Sequence, residues 1–208
     1  MADRRVTHLQ PIDEKFELLN KNGILMIDGE IDECSAYSFC LDTTWMALSG
    51  MFKEKPLLVI LNSPGGNVEH GLAIYDCIAT LKESGIRVDI LSLGLVASMG
   101  TIILQAGTRR LSAPHTQFLV HQVSQTIGFF KSEEVSELGE RAVELERINT
   151  VVMDIIAERS EISLVELKAM CKKKDYWMDA ADALRFGRKG LIDEITTKPL
   201  SNLFLAGR

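Results

Sequence analysis

Cysteine, proline and aromatic residues are all scarce in this sequence, and each shortage excludes something. Its four cysteines, Cys34, Cys40, Cys77 and Cys171, form no CxxC pair and no zinc-type spacing with the four histidines. Neither a disulfide scaffold nor a metal site is expected, and the thiols read as buried and reduced. Five prolines and 15 glycines are scattered, so no linker, repeat or low-complexity tract divides the chain. Basic charge is also short, with 23 Lys and Arg against 29 Asp and Glu for a net charge of −6. The longest basic run is Lys172-Lys173-Lys174, so no nucleic-acid partner is expected, because a polyanion needs a basic surface. No apolar leader follows Met-Ala-Asp-Arg-Arg, and a cytoplasmic location is expected. The charge-free stretch Ile90 to Thr108 approaches the roughly 20 residues of a membrane span, but Gly94, Ser98, Gly100 and Gly107 interrupt it. A buried strand, turn and helix is expected there, and no membrane partner.

What is present is ample apolar material, 46% of 208 residues, enough for one domain spanning 1–208 with a substantial core. Ile24 to Ile27, closed by Asp28-Gly29, reads as a strand. Leu57 to Leu61 is apolar at every position, as in a parallel strand covered on both faces. Asn62-Ser63-Pro64-Gly65-Gly66 breaks it, and Val68, Leu72, Tyr75, Ile78 and Leu81 then recur at helical spacing until Gly85. Ile86 to Leu91 is a further strand and Ser98 to Ala106 a further helix, which makes a βαβ pattern and an α/β fold.

In the second half Ser132 caps a helix whose first turn carries Glu133 and Glu134. Val135, Leu138, Ala142, Leu145, Val152 and Ile156 carry its apolar stripe toward Glu158. At 1.5 Å per residue the helix is about 40 Å long, more than a domain of this size uses, so it is expected to overhang and meet a partner. Asn149 on the stripe reads as a contact between subunits. Ser163 to Glu166 is a capping box, Asp179 caps a short helix ending at Gly187, and Gly190 to Ile195 reads as a last turn and edge strand.

Chemistry concentrates at the loop ends. Gly65-Gly66 leaves backbone N–H groups free to face an oxyanion, without the GxGxxG or GxxxxGK[ST] spacing of a nucleotide site. Ser98, between a strand and a helix, is placed as a nucleophile or as a helix cap. His121 closes the run Phe118-Leu119-Val120, where a strand delivers a side chain to a sheet edge. The acid that would orient it is not separable by spacing among Asp175, Asp179, Asp182 and Asp193.

Asn62-Ser63-Pro64-Gly65-Gly66, Ala97-Ser98-Met99-Gly100, His121-Gln122, Asp175-Tyr176-Trp177-Met178 and Phe186-Gly187 with Gly190-Leu191-Ile192-Asp193 occur in that order. They resemble the proteolytic subunits of the Clp protease, ClpP, over about Ile24 to Ile195. The resemblance implies a serine endopeptidase cleaving unfolded proteins to short peptides. Ser98 would be nucleophile, His121 general base and then acid, and Asp175 the orienting carboxylate. The N–H groups of Gly66 and Met99 would form the oxyanion hole. It further implies the crotonase-type fold of repeated ββα units with a protruding handle helix, residues 132–159, flanked by an N-terminal segment 1–22 and a tail 196–208. Heptameric rings stacked as a tetradecamer and an AAA+ unfoldase partner are implied too, with no cofactor beyond the partner's ATP. Three departures stand out. Residues 1–22 do not match the family's axial-loop segment. Leu58 and Ile60 replace a tyrosine pair that lines the ATPase-docking groove. Val123 and its successors replace the Gly-rich stretch after His-Gln-Pro. The departures motivate an alternative, a specialised ClpP-like protease, as in phage head maturation, that works without Clp ATPases.

Overall fold

The computed structural model describes residues 12–53, 56–124, 135–172 and 174–198. In β2 (Leu57–Ser63) only Asn62 is not fully buried, because the strand lies inside the sheet and both its faces are covered. It runs parallel to β1 (Ile24–Asp28) on one side and β3 (Val88–Ala97) on the other. β3 continues the parallel sheet to β4 (Arg109–Ser112) and then β7 (Glu194–Ile195). Alternate residues of β2 serve two cores, since a strand's side chains alternate between faces. Leu57, Val59 and Leu61 pack with Ile74 and Ile78 of α3 (Val68–Glu83) and Ile103 of α4 (Met99–Ala106). Leu58 and Ile60 pack with Ile24, Leu91 and Leu111 beneath Leu19 of α1 (Ile12–Lys21). The pair that replaces the groove tyrosines is therefore core in the single chain.

β3 changes partner halfway. Asp89 to Ser92 pairs with β4, whereas Leu95 to Ala97 pairs with β5 (Gln117–Val120). Gly94 sits between the two stretches at φ 60°, and a Cβ there would come 2.8 Å from Asn62 Oδ1. Asn62 needs that room: its Oδ1 accepts the Leu95 N–H at 3.0 Å and its Nδ2 donates to Asp28 Oδ1 at 2.7 Å. One side chain thus pins three strands where the β2–β3 register shifts. β6 (Tyr176–Met178) adds to β5 antiparallel, with Val120 opposite Tyr176.

α3 starts on the Asn67 cap and stops at Gly85, φ 82°, as its spacing predicts. The charge-free stretch resolves into most of β3, a turn at Ser98 and α4. No helix of the described residues is long and apolar enough to cross a membrane. α5 (Val135–Ser160) has 26 residues, about 39 Å; Ser132 lies outside the described residues. Its C-terminal half is core, with Val152, Met153, Ile156 and Ala157 buried, while Ala142 and Val143 are exposed. α6 (Leu164–Met170) takes its cap from Ser163 and α7 (Ala180–Arg185) from Asp179.

Three sequence expectations need correction or addition. Asn149 is not a subunit contact but is buried within the chain, its Oδ1 accepting the Val123 N–H at 3.1 Å. Of the thiols only Cys171 is buried; Cys40 and Cys77 are half-buried and Cys34 is exposed. A 16-residue helix, α2 (Glu33–Leu48), lies where no helix was expected. It buries Ala36, Phe39, Thr43 and Met46 and leaves Tyr37, Leu41, Trp45 and Leu48 exposed. Apolar on two faces, it shows no amphipathic period in the sequence.

Candidate active site

Ser98 is the junction of β3 and α4, with φ 53° and ψ −122°, a left-handed conformation that non-glycine residues rarely adopt. The neighbouring backbone holds it there. Its N–H donates to Leu119 O of β5 at 2.9 Å, and its carbonyl accepts the Thr101 N–H at 2.9 Å and Oγ1 at 2.7 Å. Although Ser98 occupies the N-cap position, its hydroxyl makes no capping bond. The hydroxyl is left available at the positive end of the helix dipole. Serine as a mere cap, the competing expectation, is not what the structure shows.

Two backbone donors flank it. Gly65, φ 98°, packs so closely that a Cβ would lie 2.5 Å from Ser98 Cβ and 3.1 Å from Met99 N. Gly66 bridges to Ile31 in parallel: Ile31 N–H donates to Gly65 O and Asn67 N–H donates to Ile31 O, both at 2.8 Å. A parallel bridge uses the neighbours' groups, so the N–H of Gly66 itself points away from Ile31. Met99 is the first residue of α4, and its N–H has no acceptor within the helix.

β5 delivers His121 to the same place, and the Ser98–Leu119 bond sets the separation between the two elements. Ser98, His121, Gly66 and Met99 line one cavity of about 120 Å³. Its apolar walls are Val68, Ile102 and Val120, together with Val152, Met153 and Ile156 of α5. The imidazole Nδ1 lies 2.6 Å from Gln122 O. A carbonyl only accepts, so Nδ1 carries the proton and Nε2 is left as an acceptor, the tautomer a base toward a hydroxyl needs. Of the other histidines, His70 begins α3 and His115 is in an exposed turn; His8 lies outside the described residues. His121 is the histidine that lines the cavity.

The structure separates the four acids. Asp179 caps α7, Asp182 pairs with Arg185 at 2.8 Å, and Asp193 is locked to Arg110. Asp175 is exposed, and its carboxylate pairs with none of the described residues. Asp175 immediately precedes Tyr176, which pairs with Val120, the residue before His121. Ser98 and His121 thus line one cavity, while Asp175, next to the paired end of β6, makes no hydrogen bond to the imidazole. Among the described residues no group of three or more His, Cys, Asp and Glu side chains is placed to hold a metal. The residues that sequence reading missed are the α5 wall. Val152 and Ile156 were legible as an apolar stripe, but nothing local says that they face the cavity.

A family model described as Clp protease matches residues 9–199. The chain belongs to the Clp protease family. It is a serine-type peptidase with the mixed α/β fold that its motifs imply. The chain is 31% identical over 186 residues to the ATP-dependent Clp protease proteolytic subunit 2 of Prochlorococcus marinus (strain NATL2A), covering 88% of this chain and 87% of that one. It is 30% identical over 182 residues to the ATP-dependent Clp protease proteolytic subunit of Lactococcus lactis subsp. lactis (strain IL1403), 86% of each. The protein of that name from Streptococcus mutans serotype c is also 30% identical over 182 residues, 86% of this chain and 87% of the other. Within this Clp protease three of the ordered motifs bring residues to the cavity: Gly66, Ser98 with Met99, and His121.

Proposed function

We propose that this Clp protease cleaves peptide bonds with Ser98 as nucleophile, His121 as general base and then acid, and Asp175 as the orienting carboxylate. The observation that carries the reading is the uncapped Ser98 hydroxyl at a strained strand-to-helix turn, sharing a cavity with His121. Ser98 Oγ attacks the scissile carbonyl while His121 Nε2 takes its proton. The oxyanion forms between the N–H groups of Gly66 and Met99. His121 then protonates the leaving amine, and water hydrolyses the acyl-enzyme by the reverse proton path. For the imidazolium to be stabilised, Nδ1–H leaves Gln122 O for Asp175, next to the paired end of β6, and assembly of subunits supports that alignment. No cofactor enters these steps. The apolar walls favour a medium-sized apolar side chain on the substrate. Treatment of the assembled protein with a fluorophosphonate, followed by intact-mass analysis and peptide mapping, is expected to give one adduct, on Ser98. An adduct elsewhere, or none on the assembled particle, overturns the reading.

The working form is proposed to be a cytoplasmic ring assembly, heptamers stacked as a tetradecamer, fed by an AAA+ unfoldase. What supports assembly is the outer face of α2, where Tyr37, Leu41, Trp45 and Leu48 are 68, 52, 55 and 84% exposed. Spaced four, four and three residues apart, they share one helix face, and a contiguous apolar patch marks an interface. The exposed half of α5 is proposed as the contact between rings. Changing Leu41 and Trp45 together to glutamate is expected to shift the particle to monomers or small oligomers in mass photometry, and an unchanged ring mass would remove α2 from the interface. The burial of Leu58 and Ile60 beneath α1 favours the second reading, a specialised protease independent of Clp ATPases. ATP-dependent degradation of an unfolded protein on adding a Clp ATPase would exclude it.

A further inference from the structure

Among the described residues, α5 holds the segment that carries His121 by a hydrogen bond to Asn149. Asn149 is 4% exposed, one turn ahead of the wall residues Val152 and Met153. Its Oδ1 accepts the Val123 N–H at 3.1 Å, two residues beyond His121. One turn back on α5, the Glu146 carboxylate accepts from Lys168 Nζ of α6 at 2.6 Å. A polar side chain buried in an apolar wall is costly unless it is paired, and the half-buried Val123 N–H is the partner of the Asn149 Oδ1. Valine makes the bond possible: proline in this position, as in His-Gln-Pro, has no N–H to donate.

We propose that Asn149 is a positioning residue for His121, fixing the His121–Ser124 backbone so that the imidazole meets Ser98 from a set position. The proposal rests on the reading of Ser98 and His121 as nucleophile and base. Asn149 touches neither substrate nor reacting atoms; it acts through the Val123 amide, and a loosened base lowers turnover without changing the walls that bind the substrate.

The test uses the full chain in its assembled form. Asn149→Leu, which removes the acceptor at similar volume, is expected to lower kcat for a fluorogenic peptide about tenfold with KM within about twofold. Asn149→Asp, which keeps an acceptor oxygen, is expected to restore kcat to within about threefold of the parent. Val123→Pro removes the donor instead and is expected to give the same loss. The double variant is expected to be no worse than either single one, because both break one bond. Exchange of the Val123 amide is expected to quicken about tenfold or more in Asn149→Leu. Parental kcat with a lowered melting temperature, or losses that multiply in the double variant, would reduce Asn149 to a structural role. If the parent neither hydrolyses peptides nor labels at Ser98, the serine reading fails, and amide exchange still decides the anchor: unchanged protection overturns it.

Discussion

Replacing Ser98 with alanine is expected to lower peptide hydrolysis by about 10⁴–10⁶-fold while leaving the fold intact. The hydroxyl bonds to nothing in the described structure, so its removal strands no buried partner. His121→Ala is expected to lose as much, and the double variant no more, because nucleophile and base act as one unit. Asp175→Asn separates two accounts of the imidazole. If Asp175 takes the Nδ1–H in the working state, loss of its charge costs about 10⁴ in kcat. If the Gln122 carbonyl, 2.6 Å from Nδ1, is sufficient, the rate changes by only a few-fold and Asp175 has no catalytic part. Hydrolysis that survives Ser98→Ala at the parental rate would remove the whole mechanism.

The second large effect is on stability, at Arg110. This arginine is 1% exposed on β4, beneath the last strand, and its guanidinium is fully engaged. Nη1 donates to Gln105 Oε1 at 2.7 Å and Gly190 O at 2.9 Å, Nη2 to Lys189 O at 3.1 Å, and Nε to Asp193 Oδ1 at 3.1 Å. Asp193 answers through the backbone: its Oδ2 accepts the Arg110 N–H at 2.7 Å and its N–H donates to Arg110 O at 2.8 Å. Arg110→Met removes the side-chain donors of Asp193, Gln105 and two carbonyls; because the Asp193 carboxylate is partly exposed, solvent screens its loss and the cost is about 1–3 kcal/mol. For a chain of this length each kcal/mol lowers the melting temperature by about 2–4 °C. Urea unfolding of Arg110→Met is the measurement, and a midpoint equal to the parent's would show that the network is dispensable.

The same pair sets an acid limit. Burial pushes the Asp193 carboxyl up, but hydrogen bonds from the Arg110 side chain and backbone outweigh it and hold the group below the ordinary carboxylate value. A lowered folded-state pKa stabilises the protein above the unfolded value, and that contribution is lost as pH falls through the folded one. The parent is therefore expected to lose stability between neutral pH and about pH 3 more steeply than Asp193→Asn. Equal slopes in urea unfolding would show that this carboxylate is not the linked group.

Local pattern reports burial and turn chemistry, and those parts were legible in the sequence. Leu57 to Leu61 read as a strand covered on both faces because both its side-chain rows are apolar. α3 ended at Gly85 because glycine adopts the left-handed conformation there without strain. Ser98, His121 and the glycines stood out at strand ends, and their order along the chain pointed to the family. What local pattern does not report is which distant residue each side chain meets. α2 escaped because Tyr37 and Trp45 on its outer face cancel the period of its inner one, and β4 escaped because Arg109 and Arg110 do not resemble a buried strand. Spacing alone left Asp175 one of four acids and the family resemblance singled it out; in the structure Asp179, Asp182 and Asp193 have other partners. Asn149 read as a subunit contact until the Val123 amide was found opposite it. By itself, then, the sequence determined the α/β alternation, the turns and the candidate nucleophile and base, because these depend on residues near one another in the chain. Only the tertiary structure decided the cavity walls, the buried Arg110 network and the anchoring of the His121 segment, because those depend on pairs dozens of residues apart that only packing brings together.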